Sequence, residues 1–297
     1  MSFASEVREE VCRNLPEKKC CRKAECYGIL LYCNTFSKRE IRIITENRYF
    51  AERIPRLFRR TFGVEFDQLP DLEQIGKYIF VINDRSKIDI IFSAFGLEHE
   101  SMALHVNLAV LEENCCRQSF IRGAFLAGGS VTDPDKRYHL ELVTGHLKVS
   151  DEVRSILQEL GFEPKDTQRT GSGVLYLKQS DQIVDFLTMI GAPLCAMKII
   201  QAKMEKEIRN EVNRRVNCDT ANLSKAVDAA QQQLAAIRIL RESGKFDQLP
   251  EKLQQTARLR EEYPEATLSE LAAMVVPPVS KPAISHRMRC LIARSKQ

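Results

Sequence analysis

The sequence predicts an α+β fold in which a duplicated α/β domain is followed by an all-α helix-turn-helix domain. Three observations lead there. Two apolar stretches with small residues at helical spacing, residues 24–34 and 120–131, each open a run of helix, strands, helix, strands, helix. The last third of the chain loses strand signals and reads as capped helices. The charge is also uneven. From Lys198 onward there are 18 Lys/Arg against 12 Asp/Glu, and before it 26 against 28. A basic end on a near-neutral body places a polyanion-binding surface at the C-terminus.

In the first stretch Ala24 and Gly28 stand four apart; in the second so do Gly123 and Ala127, and Ala124 and Gly128. Faces without side-chain bulk let two helices approach closely, so the pair predicts a central seam. Ser2 and the residues after it begin an amphipathic helix. Residues 39–47 have strand character. Residues 49–62 form a helix with Phe50, Ile54, Leu57, Phe58 and Thr61 on one face and Gly63 as its stop. A strand over 77–83 follows, then a helix capped by Ser86 and ending at Phe95-Gly96. Residues 97–119 read as a partly helical connector. The second half repeats the order: a strand at 138–144, a helix at 149–160 stopped by Gly161, a strand at 173–178, and a helix capped by Ser180 that ends at Ile190-Gly191. The halves are residues 1–96 and 117–192 of a domain spanning 1–192.

Residues 193–244 read as a helical linker. The Asn- and Asp-rich run around 217–220 predicts a break, because these side chains compete for backbone hydrogen bonds. Asp219 or Thr220 would cap a second helix running to about Ser243, before Gly244. Residues 245–297 form the last domain. A helix over 251–263 stops before Pro264. Thr267-Leu-Ser-Glu270 is a capping box for a short helix. Pro277-Pro278 ends it, and Ser280 caps a final helix with Pro282 in its first turn. In that helix Ile284, Met288 and Leu291 face inward.

The ten cysteines are scattered. Cys20, Cys21 and Cys26 are the densest group, with Cys115 and Cys116 far along the chain. No CxxC pair and no His at finger spacing accompanies them, so they read as reduced thiols of a cytoplasmic chain, with no metal site and no cofactor. No apolar run is long enough to span a membrane.

The two small-residue helices resemble the LAGLIDADG motif of homing endonucleases. In that family each motif helix ends in an acid, and the two acids hold divalent metals over the scissile phosphates. Carried onto this sequence, the acidic positions are Cys33 and Gly128, neither of which offers a carboxylate to Mg²⁺. The resemblance therefore implies a degenerate saddle with no catalytic residue. Asp133 and Asp135 follow the second motif around Pro134, but no matching pair stands near Asn34, and acids there read as turn formers. Arg39, Arg42, Arg137 and Lys178 lie on or beside strands and read as a solvated sheet face.

The run Asn-Arg-Arg-Val-Asn-Cys-Asp-Thr-Ala-Asn (213–222), Tyr-His-Leu-Glu (138–141) and Phe-Leu-Ala-Gly-Gly-Ser-Val (125–131) together resemble the WhiA sporulation-regulator family. The match runs in order over nearly the whole chain. It implies a duplicated LAGLIDADG-type α/β saddle followed by an all-α helix-turn-helix domain. It also implies a bacterial, non-catalytic DNA-binding transcriptional regulator linked to sporulation and cell division, cytoplasmic and nucleoid-associated. Double-stranded DNA would be held by the C-terminal domain, and protein partners by the saddle. The rival readings are a metal-dependent site-specific endonuclease and a protein-binding scaffold.

In a helix-turn-helix the second helix enters the major groove, and its early residues reach base edges. Ser280, Lys281, Pro282, Ser285, His286, Arg287, Arg289 and Arg294 are the DNA-contacting candidates. Arg289 suits guanine and Ser285 more than one base, while His286 and Arg287 suit phosphates. Family members typically read Ser-Lys-Ser-Gly at the start of this helix, with an Asn beside the His. Here the residues are Ser280-Lys281-Pro282-Ala283, with Ser285 before His286, so a target sequence does not transfer.

Overall fold

The computed structural model describes residues 2–73, 76–97 and 104–296. The chain divides into two compact units, Met1–Lys206 and Glu207–Gln297.

The first unit opens with α1 (Phe3–Cys12), whose N-cap Ser2 accepts a hydrogen bond from the Ser5 amide. Its first half continues as α2 (Lys19–Tyr32), β1 (Thr35–Phe36), β2 (Ile41–Thr45), α3 (Arg48–Phe62), β3 (Tyr78–Ile82) and α4 (Arg85–Ala94). The second half is α5 (Asn114–Gly128), β4 (Gly129–Val131), β5 (Leu140–Thr144), α6 (Leu147–Glu159), β6 (Lys165–Arg169), β7 (Ser172–Leu177) and α7 (Ser180–Ile190). Part of the connector read over 97–119 lies outside the described residues; the rest holds a single 3₁₀ turn, Leu108–Val110, and the start of α5.

α2 and α5 pack on each other at the small-residue faces. A Cβ added to Gly28 would lie 2.0 Å from the Phe120 carbonyl oxygen, and one added to Gly123 would lie 2.1 Å from that of Glu25. Backbone meets backbone at both points, which only glycine permits. Around this seam Tyr27, Ile29, Leu30, Phe120, Ala124 and Phe125 are fully buried. Glu25 is buried among them, paired with Arg53. It receives both the Nε (2.7 Å) and an Nη (3.0 Å) of Arg53, which also donates to the carbonyls of Cys12 and Asn14. A buried carboxylate persists only with such a partner.

The sheets repeat as the helices do. β1, β2 and β3 form one antiparallel sheet in that order; β4, β5, β7 and β6 form the other. Ile41 and Ile43 of β2 pair with Ile82 and Phe80 of β3, as Leu140 and Leu142 of β5 pair with Leu177 and Leu175 of β7. Among the described residues β6 has no strand counterpart in the first half, where a bridge between Gln68 and Val81 takes its place. β6 was not expected, because all five of its side chains are exposed and none alternates inward.

Three helix starts differ from expectation. Asp84, not Ser86, caps α4, accepting from the Ser86 amide at 2.8 Å. Ser180 lies inside α7, with Gln179 at the cap position. Ser280 sits at the N-cap of α11 (Lys281–Ser295) without a side-chain bond to the helix, and its carbonyl accepts from Ala283 and Ile284 instead. The break expected near 217–220 is absent. α8 runs unbroken from Pro193 to Glu242, and residues 209–228 are exposed all round, so their Asn and Asp side chains find water rather than the backbone.

In the second unit, α9 (Glu251–Glu262), α10 (Leu268–Met274) and α11 enclose a core of Leu253, Ala257, Leu271, Ile284, Met288 and Leu291. Ile237 and Leu240, from the last turns of α8, belong to the same core. The end of the stretch read as a linker is thus part of the helical domain.

Candidate nucleic-acid interface

α10 and α11 are held apart by a tight, fixed turn. The capping box of α10 is complete: the Glu270 amide donates to Thr267 Oγ1 at 3.2 Å, and the Thr267 amide donates to a Glu270 carboxylate oxygen at 2.7 Å. Hydrogen bonds from Thr267 hold the Glu270 carboxyl below its ordinary value. At the other end Val275 is buried, Val276, Pro277 and Pro278 are exposed, and the Val279 amide closes back on the Ala272 carbonyl at 3.0 Å. Near the end of α9 lies Arg260, 2 % exposed. It donates Nε to Gln233 Oε1 (2.9 Å) and Nη1 to the carbonyls of Pro264 (3.2 Å) and Ala266 (2.6 Å). One buried cation thereby fixes the loop between α9 and α10, and burial lowers its proton affinity. The sequence reading missed Arg260; its place in the period of α9, beside Leu253 and Ala257, was the available signal.

α11 then shows two faces. Ile284, Met288 and Leu291 are buried as expected. On the outer edge Ser280, Lys281, Pro282, His286, Arg289 and Arg294 are exposed and Ser285 is half-buried. Lys281, Ser285 and Arg289 follow at four-residue spacing and so share one line along the helix. His286 Nε2 lies 3.6 Å from Cys290 Sγ. Arg287, read from the sequence as suited to phosphates, sits between the two faces. It is half-buried, and its Nη1 donates to Thr256 Oγ1 of α9 at 3.3 Å, so it joins α11 to its own domain.

Cys33 and Gly128, the positions the LAGLIDADG resemblance marks for acids, lie at the C-terminal ends of the seam helices. Cys33 is the C-cap of α2, and its thiol contacts the carbonyls of Leu30 (3.1 Å) and Thr35 (3.2 Å), with burial pushing it up to about 12. A neutral thiol is what stands there. At Gly128 a Cβ would meet the Val143 carbonyl at 2.4 Å and Tyr32 Cδ1 at 2.8 Å. The position has no room for a side chain, let alone a carboxylate. Asp133 accepts from the Asp135 amide at 2.9 Å, an Asx turn. On the sheet face Arg42 pairs with Glu40 at 2.6 Å, and Glu141 faces both His139 (3.3 Å) and Arg169 (3.8 Å).

The cysteines are less scattered in space than in sequence. Cys20 and Cys21 of α2 and Cys115 and Cys116 of α5 converge, their sulfur atoms all within 4.8 Å of one another.

Residues 212–293 match the WhiA C-terminal HTH domain family, and residues 117–209 the WhiA LAGLIDADG-like domain family. Two bacterial relatives are named "Probable cell division protein WhiA". That of Ruminiclostridium cellulolyticum is 37 % identical over 98 % of this chain and 96 % of its own length. That of Alkaliphilus oremlandii is 36 % identical over 97 % and 95 %. Among solved structures, full-length WhiA from Thermotoga maritima is similar over 100 % of this chain and 98 % of its own, at 21 % identity and a TM-score of 0.62. The separate N-terminal LAGLIDADG domain of WhiA covers 64 % of this chain and 92 % of its own length, at 19 % identity and a TM-score of 0.50.

Proposed function

The chain belongs to the WhiA family, and from that premise we propose that it is a sequence-specific DNA-binding regulator of transcription, serving cell division and sporulation, that does not cut DNA. The observation that carries the reading is the outer edge of α11. Lys281, Ser285 and Arg289 line it at helical spacing, Arg294 extends it, and no acidic residue follows Glu270. Such an edge, presented by a braced turn, suits the major groove. The sheet face of the first unit suits DNA less well, because Glu40 and Glu141 lie against the bases that would meet phosphates.

Absence of cleavage is supported by the neutral Cys33 thiol and the lack of space at Gly128. The first unit is then free to hold protein partners, and the chain works in the cytoplasm on the nucleoid. In keeping with that, no helix among the described residues is long and apolar enough to cross a membrane.

Footprinting the full chain on genomic DNA tests the proposal. A limited set of protected sites sharing one sequence is expected; uniform protection, or none, overturns it. Plasmid DNA incubated with the protein and Mg²⁺ or Mn²⁺ should stay intact. Metal-dependent double-strand breaks that vanish in Asp133→Asn or Asp135→Asn would overturn the non-catalytic part.

A further inference from the structure

We propose that Cys20, Cys21, Cys115 and Cys116 hold one Zn²⁺ ion as a tetrathiolate site that pins together the N-terminal ends of the two seam helices. The residues come from the second and third positions of α2 and of α5, so the site is built from the same two positions of each half. Four cysteines converge where the internal symmetry brings the helix starts together, and their sulfurs already lie within 4.8 Å of one another. A tetrahedral zinc with Zn–S bonds of about 2.3 Å needs sulfurs about 3.8 Å apart. The difference of about 1 Å is within the reach of a cysteine χ1 rotation.

Three further features fit an anion-bearing metal site better than a cluster of idle thiols. Neither helix start is capped by a side chain: Lys18 before α2 and Glu113 before α5 make no such bond. All four sulfurs are carried on the first turns of two helices, where the positive dipole end favours thiolates. The flanks of the first pair are basic, with Lys18 and Lys19 before Cys20 and Arg22 and Lys23 after Cys21, while Glu113 and Asn114 precede the second pair. That matters because four thiolates around Zn²⁺ carry a net charge of about −2. Exposure is graded too. Cys21 and Cys116 are buried, Cys115 is half-buried and Cys20 is exposed, giving a metal a way in.

The chemistry is metal-for-proton exchange. Each thiol releases one proton to solvent, four Zn–S bonds form, and nothing is oxidised or reduced. With all four positions filled by sulfur the site is closed, so its role is structural. It would clamp the halves at the end of the seam away from Cys33 and Gly128.

Metal analysis of the full chain, produced in zinc-supplemented medium and purified under reducing conditions, tests the assignment. One zinc per chain is expected. Replacement by Co²⁺ should give sulfur-to-cobalt charge-transfer absorption and the visible bands of a tetrahedral ion. Cys20→Ser, at the exposed position, should lose zinc affinity by at least about tenfold, together with the rise in Tm that zinc gives the parent. Cys218→Ser, which removes an exposed cysteine outside the cluster, should bind zinc as the parent does. The proposal is overturned by a parent chain without the cobalt charge-transfer band, whatever the variants do. It is also overturned by iron and sulfide in place of zinc, or by undiminished zinc affinity in Cys20→Ser.

Discussion

Arg287 and Arg289 are two residues apart on α11 and answer to different physics. Arg289 is exposed on the outer edge, whereas Arg287 turns inward to Thr256. Arg289→Ala should therefore leave Tm unchanged, cost roughly 1–3 kcal/mol at the preferred DNA site and relax preference at one base position. Arg294→Ala should weaken all sequences alike and lower the salt slope by about one unit. Arg287→Ala should instead lower Tm while leaving sequence preference intact. Binding isotherms at several salt concentrations, paired with melts of each variant, separate the three. Unchanged affinity and preference in Arg289→Ala would remove α11 as the reading helix. The glycines make the other residue-scale case. Gly123 faces the Glu25 carbonyl so closely that Gly123→Leu should cost on the order of 2 kcal/mol or more by overpacking. A variant that unfolds in urea at the same midpoint as the parent would deny the contact. That Gly28 and Gly123 belong together could be read from their spacing. That Glu25 lies buried against Arg53 could not, because a charged residue on a seam helix gives no sign of a partner contributed by a different helix, α3.

At the scale of elements, the sequence was most informative where a structure is closed by local bonds. Gly63 and Gly191 stop α3 and α7 with left-handed backbone, and Thr267 with Glu270 opens α10, all as their residue types demand. It was less informative where one oxygen competes with another. Asp84 reaches the Ser86 amide and accepts the Ser86 hydroxyl too, so the better acceptor becomes the cap. α8 shows the limit of propensity. Asn217, Asp219 and Thr220 disfavour helix only weakly, and with every neighbour solvated nothing rewards a break there. The capping box gives a measurable element. Thr267→Ala should cost about 1 kcal/mol. Because the Glu270 carboxyl is held low in the folded state, its share of stability is full above the ordinary carboxylate range and is lost as pH falls through it. Urea midpoints of Glu270→Gln and the parent should therefore converge on acidification; a gap that stays constant with pH would refute the reciprocal bond.

For the whole molecule, two hydrophobic cores share no residue. The first ends at Ile199 and the second begins at Ile237. Each should fold alone, so a fragment of residues 222–297 should bind DNA while residues 1–206 bind it far more weakly. Equal binding by the N-terminal fragment and the full chain would mean that the saddle surface, despite its paired acids, still holds a duplex. The duplication was legible because both halves share an order of elements and two glycine-stopped endings. What it brought together was not. Cys20-Cys21 and Cys115-Cys116 are distant in sequence, and only the repeat register shows them to be the same positions twice. The proposed DNA-contacting set was chosen by composition and spacing; that Arg287 also reaches Thr256 was not legible, because periodicity alone cannot tell an edge residue from a bracing one. β6 went unseen for a related reason, since an outermost strand with no buried side chain has no pattern to display. Its make-up has a use. An unpaired strand edge is a template on which a second chain can continue the sheet, and Lys165, Asp166 and Arg169 put charge along that edge. The same residues that hid the strand keep it from seeding aggregates.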